Sequence, residues 1–123
     1  MENILLIHSA IIDETGGSHG VRDHERLLGI VAHPKQIVFG KEIRPTLFDK
    51  AASYGFDIIK YHPFTDGNKR SGMLCMGAFL ELNNFKIDVK TGMIEKMAVD
   101  IVVKNLEIHD IAKWLKKWSK RKK

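Results

Sequence analysis

The sequence predicts a single all-α domain of about six helices, with at most a short β element near residues 85–90. Apolar residues recur at helical spacing in six stretches, and turns containing glycine or proline separate those stretches. Apolar and polar residues alternate at Phe85–Lys90, which is long enough for one short extended piece only. A chain of 123 residues fits one domain, placed at 1–118, and a basic tail at 119–123 that is predicted to be disordered.

Turn and cap residues predict where the helices begin and end. Asp23 and Thr91 are suited to cap helices, Pro45 suits a first helical position, and residues 33–44 are predicted as loop. The fourth helix is apolar nearly all round, as expected of a buried central helix. Gly72 and Gly77 in that helix each cost about 1 kcal/mol relative to alanine, which predicts close packing at both. The predicted helices cover approximately residues 2–13, 24–31, 45–61, 69–84, 92–102 and 108–118.

Charge and composition argue against several classes of protein. Residues 113–123 carry seven of the 20 basic side chains and no acid, leaving thirteen basic and fifteen acidic groups on the other 112 residues. A nucleic-acid partner is therefore not expected for the body of the domain, although the tail could bind RNA or an acidic protein. The single cysteine, Cys75, cannot form an internal disulfide, and no apolar run approaches the ~20 residues of a membrane helix. We expect a cytoplasmic protein with no membrane partner.

The segment His62–Arg70, HPFTDGNKR, concentrates reactive side chains in a turn that leads into a buried helix. The start of a helix offers unpaired N–H groups, Gly67 permits close backbone approach, and two cations follow. Asp66 is suited to hold Mg²⁺, and His62 to accept a proton from a hydroxyl near neutral pH. A base, a metal ligand and a phosphate clamp are the parts that phosphoryl or nucleotidyl transfer requires.

A purely structural interpretation of this segment is weaker. DGN is common in turns, but cations at a helix N-terminus oppose the helix dipole and have no folding rationale. The histidines elsewhere lack zinc spacing and are predicted to be surface or hydrogen-bonded residues. The segment GGSHGVRD (Gly16–Asp23) is predicted mainly as a hinge, from which Arg22 could reach the edge of the site.

The segment HPFTDGNKR resembles the signature of Fic-domain proteins, HPFx(D/E)GN(G/K)R, at every specified position. The resemblance extends from the first helix through Gly16–Asp23 to the extended piece after Asn84, and so covers most of the chain. The short length, the GG-x-x-G-x-R-D element and Lys69 in place of glycine resemble the death-on-curing (Doc) branch, whose members are toxins of toxin–antitoxin pairs.

This resemblance implies a fold, an activity and a role for each matching residue. It implies a Fic/Doc-type helical domain in which His62 is the general base that activates a hydroxyl of a target protein. Asp66 would hold Mg²⁺, while Asn68 and Arg70 would contact the nucleotide phosphates together with the Gly67–Lys69 backbone. In the Doc branch the lysine accompanies phosphoryl transfer from Mg·ATP to elongation factor Tu, which arrests translation.

Two other functions stay open. Relatives that transfer AMP continue the motif as GNGRxxR, whereas this chain has Lys69 at the second glycine and Met73 at the second arginine. Both departures weaken AMP transfer as the alternative. A module that binds a nucleotide or partner without catalysis would have no use for His62 as a base. Because Thr91–Lys96 is a poor match to the inhibitory helix of Fic proteins, with Glu95 predicted as a surface residue, an antitoxin on a partner chain is expected as the inhibitor.

Overall fold

The computed structural model describes residues 2–90 and 92–122, and most of them are helical. Six α-helices and two antiparallel two-stranded sheets make up the described part, so the prediction of a small all-α domain is confirmed. The helices are α1 Glu2–Thr15, α2 His24–Ala32, α3 Leu47–Tyr61, α4 Asn68–Leu82, α5 Met93–Val103 and α6 Ile108–Trp118. The strands are β1 Ile37–Val38, β2 Lys41–Glu42, β3 Phe85–Ile87 and β4 Ser119–Arg121. Among the described residues, no helix combines the length and apolar character needed to cross a membrane.

The helix caps agree with the sequence in one case and differ in another. Asp23 caps α2 as predicted, since its side chain accepts a hydrogen bond from the Arg26 N–H. Pro45, in contrast, lies outside α3. The Thr46 hydroxyl accepts from the Asp49 N–H, and the Asp49 carboxylate accepts from the Thr46 N–H. This reciprocal capping box fixes the start of α3 two residues later than predicted.

The predicted cap of α5 cannot be compared directly, because Thr91 lies outside the described residues. In the described part, the N-cap of α5 is Gly92, which has no side chain to accept a capping hydrogen bond.

The larger of two apolar cores lies among α3, α4, α5 and α6. Its buried residues are Ala51, Ala52, Ile59, Met73, Met76, Leu80, Met97, Ala98, Ile101, Ile108, Ile111, Ala112 and Leu115. Helices α3 and α4 approach closely at Gly72, where an added Cβ would lie 2.7 Å from Ile59 Cγ1 and 2.9 Å from the Gly55 oxygen. Close packing at Gly72 is therefore confirmed. At Gly77 the prediction is wrong, because a Cβ there would meet only Ile87 Cδ1 at 3.9 Å.

The smaller core lies beneath the motif segment. It is formed by residues of α1, α2, α3 and α4 together with Phe64 of the turn: Ile4, Leu27, Ile30, Ile58, Phe64 and Cys75. Phe64 is fully buried, so the motif turn is anchored directly in the interior. Burial raises the pKa of the Cys75 thiol to about 12, so Cys75 packs as a small, unreactive core residue.

The strands correct the sequence prediction in two places. Within the predicted loop 33–44, His33–Lys35 form a 3-10 turn, and β1 and β2 form a hairpin in which Ile37 pairs with Glu42. The tail predicted to be disordered contains β4, which pairs with β3. Pairing continues on both sides, since the Asp88 N–H donates to the Trp118 oxygen and the Lys122 N–H donates to the Asn84 oxygen. Backbone hydrogen bonds form here whatever the side chains are, so the basic composition of the tail did not reveal the strand.

Candidate active site

His62 lies at the point where α3 ends. It is the C-cap of α3, with φ 49° and ψ 60°, a left-handed conformation that is uncommon outside glycine and concentrates at functional sites. Its backbone N–H donates to the Ile58 oxygen, while its side chain is exposed to solvent. The imidazole is thus on the surface, available to a second molecule.

Residues before α2 hold the base end of the turn from the outside. The Arg22 guanidinium donates through Nε to the His62 carbonyl at 2.9 Å and through Nη2 to the Tyr61 carbonyl at 3.0 Å. These two contacts satisfy carbonyls at the end of α3 and place a cation at the negative end of its dipole. The backbone N–H groups of Arg22 and Asp23 both donate to the Pro63 oxygen. Arg22 therefore does reach the edge of the site, where it braces the backbone of the base.

The same segment also pairs with the middle of the turn. Val21 and Phe64 form an antiparallel bridge, and the Thr65 N–H donates to the Gly20 oxygen at 2.9 Å. The segment predicted as a hinge therefore serves as a short strand-like support for the motif. Its sequence, rich in glycine, allows the backbones to come close, since an added Cβ on Gly20 would lie 2.8 Å from the Thr65 hydroxyl.

Asn68 closes the turn from inside. Its Oδ1 accepts from the Phe64 N–H and its Nδ2 donates to the Phe64 oxygen, both at 3.0 Å. The side chain is buried, so it acts first as a clasp that joins the start of α4 to the middle of the turn. Sequence reasoning assigned Asn68 to the phosphates and missed this clasp. Its backbone N–H, in the first turn of α4, is still placed for a phosphate.

His8 of α1 supports the turn from the other side. Its ring stacks on Phe64 with centroids 3.7 Å apart and planes 6° from parallel, and Nε2 donates to the Asp66 carbonyl at 2.7 Å. The residue is 2% exposed, which agrees with the predicted hydrogen-bonded histidine. The contact spans 58 positions of the chain, so no local pattern could have shown that His8 touches the site.

Asp66 is the carboxylate that would hold a divalent cation. Its side chain is exposed, and its Oδ2 accepts one hydrogen bond, from the Ser18 N–H at 2.9 Å. A single backbone donor orients the carboxylate and leaves Oδ1 free in the described part of the chain. Mg²⁺ commonly takes one or two carboxylates and completes its shell with phosphate oxygens and water, so an oriented carboxylate beside a phosphate site fits this ion.

The other end of the turn, predicted to bind phosphate, is the start of α4. Gly67 precedes the helix with φ 76° and ψ 19°, and an added Cβ there would lie 3.2 Å from Ile12 Cδ1. No side chain caps this end within residues 2–90 and 92–122, and its first turn contains no acid, unlike the capped and acidic first turns of α2 and α3. Free N–H groups at a helix start form an anion site.

Lys69 and Arg70 add full charge to this site. Both side chains are exposed, and neither is at ion-pair distance from an acid in the region that the structure covers. They line a groove of about 570 Å³ between α1, α4 and α5. We call it the α1–α4–α5 groove. Glu95 is exposed, as predicted, and it lines the same groove as the two cations, a proximity that the sequence did not indicate.

The turn therefore joins an exposed imidazole, an oriented carboxylate and an uncapped cationic helix start. The sequence model of the Fic/DOC family matches residues 1–80, which contain every predicted site residue. The chain belongs to the Fic/DOC family. Members of the family are in general nucleotide-dependent transferases that modify proteins.

Two relatives place the chain within this family. It is 30% identical over 99 residues to "Toxin Doc" of Mycolicibacterium smegmatis, and this alignment covers 79% of this chain and 76% of the relative. It is also 30% identical over 86 residues to "Protein kinase doc" of Escherichia phage P1, which covers 70% of this chain and 68% of the relative. Both carry the Doc name, in agreement with the branch that the motif resembles.

Proposed function

We propose that the chain is a Doc-type toxin that transfers a phosphoryl group from Mg·ATP to a serine or threonine hydroxyl of a target protein. The observation that carries the proposal is one braced turn with an exposed His62 at one end and the uncapped, cationic start of α4 at the other. The names of the two relatives, a toxin and a protein kinase, support it. The target proposed from the family resemblance is elongation factor Tu, whose modification would arrest translation.

Each end of the turn has a separate task in this reaction. The N–H groups at the start of α4, with Lys69 and Arg70, bind and orient the phosphates. Asp66 holds Mg²⁺, which supplies charge neutralisation on the phosphates when bound. His62 accepts the proton of the attacking hydroxyl. A bond forms between the hydroxyl oxygen and the γ-phosphorus, the bond from that phosphorus to the bridging oxygen breaks, and ADP leaves.

Phosphoryl transfer is preferred here to AMP transfer. Relatives that transfer AMP have a second arginine at the position of Met73, and that methionine is 5% exposed and packs in the larger core. It can supply no charge to the α- and β-phosphates. Lys69 also replaces the second glycine of those relatives, so a long side chain stands where their motif has none.

The choice between the two reactions is tested with labelled ATP. Purified protein is incubated with elongation factor Tu, Mg²⁺ and ATP labelled at either the γ- or the α-phosphate. Label transfer from the γ position alone is expected. His62→Ala should abolish transfer and growth inhibition while nucleotide affinity stays nearly unchanged. His109→Ala, at an exposed position of α6, is the matched control and should remain active.

Each contrary result has a defined meaning. Transfer of the α-label would replace the kinase proposal with AMP transfer. Toxicity that survives His62→Ala would refute catalysis by His62. The absence of transfer of either label, to elongation factor Tu and to other candidate proteins, would favour a binding module without catalysis.

We also propose that an antitoxin segment occupies the α1–α4–α5 groove. Leu74, Ile94 and Val99 line the groove with exposed apolar side chains, next to Lys69 and Arg70. An amphipathic segment that folds into the groove would bury these apolar groups and cover the phosphate site. Leu74→Asp should then prevent neutralisation by the antitoxin encoded next to the gene while toxicity persists. Val103→Asp, equally charged but outside the groove, should be neutralised normally, and neutralisation of both variants would refute this assignment.

A further inference from the structure

A second cavity, of about 760 Å³, lies between α2, the 3-10 turn and α3. We call it the α2–α3 cavity. Arg26, His33, Gln36, Asp57 and Tyr61 are among its lining residues, and none of them has a part in the chemistry proposed above. A larger share of its lining surface is polar than in the α1–α4–α5 groove.

Arg26 is held in place without being neutralised. Its guanidinium lies 4.6 Å from the centre of the Tyr61 ring, a cation–π contact that limits its motion. Over residues 2–90 and 92–122, its side chain makes neither an ion pair nor a hydrogen bond. A guanidinium that is stacked and otherwise free presents a planar set of donors suited to a carboxylate.

His33 is also oriented by a neighbour. Its Nδ1 donates to Asp57 Oδ2 at 2.6 Å, and Asp57 is 4% exposed on α3. Burial raises the pKa of Asp57, and the hydrogen bond from His33 opposes that shift. Because the carboxylate fixes Nδ1 as the donor, Nε2 is the ring nitrogen left for a ligand. Burying the Asp57 carboxylate costs free energy, and its hydrogen bond holds the His33 imidazole on the cavity wall.

The α2–α3 cavity adjoins the base end of the motif turn. Tyr61, on its wall, directly precedes His62, and Asp23, also on its wall, donates its N–H to the Pro63 oxygen at 3.1 Å. The phosphate end of the turn opens instead toward the α1–α4–α5 groove. A transfer reaction brings two substrates to the base from different sides. The phosphates are proposed to bind at the start of α4, and the α2–α3 cavity adjoins the opposite end of the turn.

We propose that the α2–α3 cavity is the acceptor subsite, which binds a polypeptide segment with one acidic side chain near the modified hydroxyl. This inference rests on the proposed function. Arg26 binds the carboxylate, while His33 Nε2 and the Gln36 carboxamide bind the backbone of the segment. Asp23, Glu25 and Asp57 also line the cavity, so the lining accepts one carboxylate that pairs with Arg26 and disfavours an acidic cluster.

The experiment measures peptide binding separately from catalysis. The full-length His62→Ala protein is applied to an array of random 12-residue peptides that each contain one serine or threonine. Bound peptides should be enriched in a single aspartate or glutamate. Adding Arg26→Gln should weaken binding of the enriched peptides at least about tenfold, since hydrogen bonds to charged groups are among the stronger ones. Arg26→Lys should lie between the two, because lysine keeps the charge and loses the planar fork.

Arg121→Gln is the matched control, because it removes an exposed arginine from β4 and should leave peptide binding unchanged. The proposal is overturned if no peptide binds, if acidic residues are not enriched, or if the enrichment survives Arg26→Gln. The enriched peptides are then incubated with the wild-type protein and γ-labelled ATP. If the enriched peptides bind but are not labelled, the acceptor subsite would be supported and the proposed kinase activity would be contradicted. If elongation factor Tu is labelled but the bound peptides show no preference for acidic residues, the kinase proposal would stand and the acceptor subsite would be refuted.

Discussion

The larger core and the smaller core are held by different kinds of contact. The thirteen buried residues of the larger core are all apolar, and they join α3 and α4 to α5 and α6. The smaller core has six such residues, and buried polar groups lie against it. His8 stacks on Phe64, and Asn68 hydrogen-bonds both backbone groups of Phe64.

Because of this difference, we expect the larger core to determine the stability of the fold and the smaller core to determine the geometry of the site. Apolar burial stabilises in proportion to area and has little directional preference, whereas a hydrogen bond weakens steeply away from its preferred geometry. The larger core therefore supplies most of the stability and tolerates small adjustments. The smaller core, with its directional contacts, fixes the turn between His62 and the start of α4. Changes in the two regions should thus affect different measurements.

The largest expected effect is on stability, from truncation in the larger core. Leu115 of α6 is fully buried, so Leu115→Ala should lower the free energy of unfolding by about 2–5 kcal/mol. Urea denaturation measures this loss. The transfer rate per folded molecule, measured at low temperature, should stay close to that of the wild type. Leu82→Ala, at a position that is 74% exposed, is the control and should change stability little. A folded Leu115→Ala protein that transfers poorly would show that the two regions are not separable.

The next largest effect is expected on activity, from loss of the Arg22 side chain that supports the His62 end of the turn. Arg22→Met keeps much of the side-chain length and removes both hydrogen bonds to the Tyr61 and His62 carbonyls. Without them the backbone of His62 loses its support, and the transfer rate should fall about tenfold, while stability falls by about 1 kcal/mol. Steady-state kinetics at saturating ATP and urea denaturation test the two parts. Arg121→Met is the control for loss of an arginine. An equal decrease in its transfer rate would show that support of the His62 backbone by Arg22 is not the cause.

A smaller effect is expected at the phosphate end. His8→Phe keeps an aromatic ring for stacking on Phe64 and removes the hydrogen bond from Nε2 to the Asp66 carbonyl. One hydrogen bond contributes about 1 kcal/mol, so the transfer rate should fall roughly fivefold. The Mg²⁺ dependence of transfer should shift to higher concentrations, because Asp66 is less well placed. His24→Phe, at the exposed start of α2, serves as the comparison. An unchanged Mg²⁺ dependence would mean that the backbone of Asp66 needs no support from α1.

How far the sequence could predict the molecule also differs between the two regions. Helices α3, α5 and α6 follow from apolar periodicity, because a helix buried on one face repeats that pattern in its own residues, and α4 follows from a segment that is apolar nearly all round. The cost of glycine inside a helix predicted close packing at both Gly72 and Gly77, correctly at the first and wrongly at the second. The hairpin β1–β2 escaped prediction, since its exposed two-residue strands have no buried face to produce an alternation.

Around the motif turn, the sequence indicated which residues could carry the proposed chemistry but not which contacts hold them in place. His8, Ser18 and Arg22 reach the turn across 58, 48 and 40 positions of the chain respectively. Such contacts depend on the packed arrangement of α1 and α2, which no short window of sequence contains. For Asn68 the sequence indicated a chemical role and missed a structural one. Its motif position indicated a phosphate ligand, and the structure adds a clasp on Phe64 that the motif alone does not describe.

The smallest effect should come from removal of residues 119–123, which deletes β4. The ion pair between Lys120 and Asp88 is exposed, and Lys120 lies directly across from Lys86, an unfavourable like-charge pair. The urea midpoint should therefore fall by only a small fraction of the Leu115→Ala shift, and the transfer rate and toxicity should not change. Toxicity lost with these residues would instead implicate the basic end in function, as a nucleic-acid binder requires, and such binding would weaken steeply with salt.

The pH dependence of this small loss identifies its source. Lys120 lowers the pKa of Asp88 below its ordinary value, through a hydrogen bond and charge attraction. A carboxyl whose pKa is lower in the folded state stabilises the fold above its unfolded pKa of about 4, and this contribution disappears as the pH falls through the folded value. The difference in urea midpoint between the full-length and shortened chains should accordingly shrink below about pH 4. A difference that stays constant down to pH 2 would assign the stability of β4 to its backbone pairing with β3 alone, because those hydrogen bonds do not titrate.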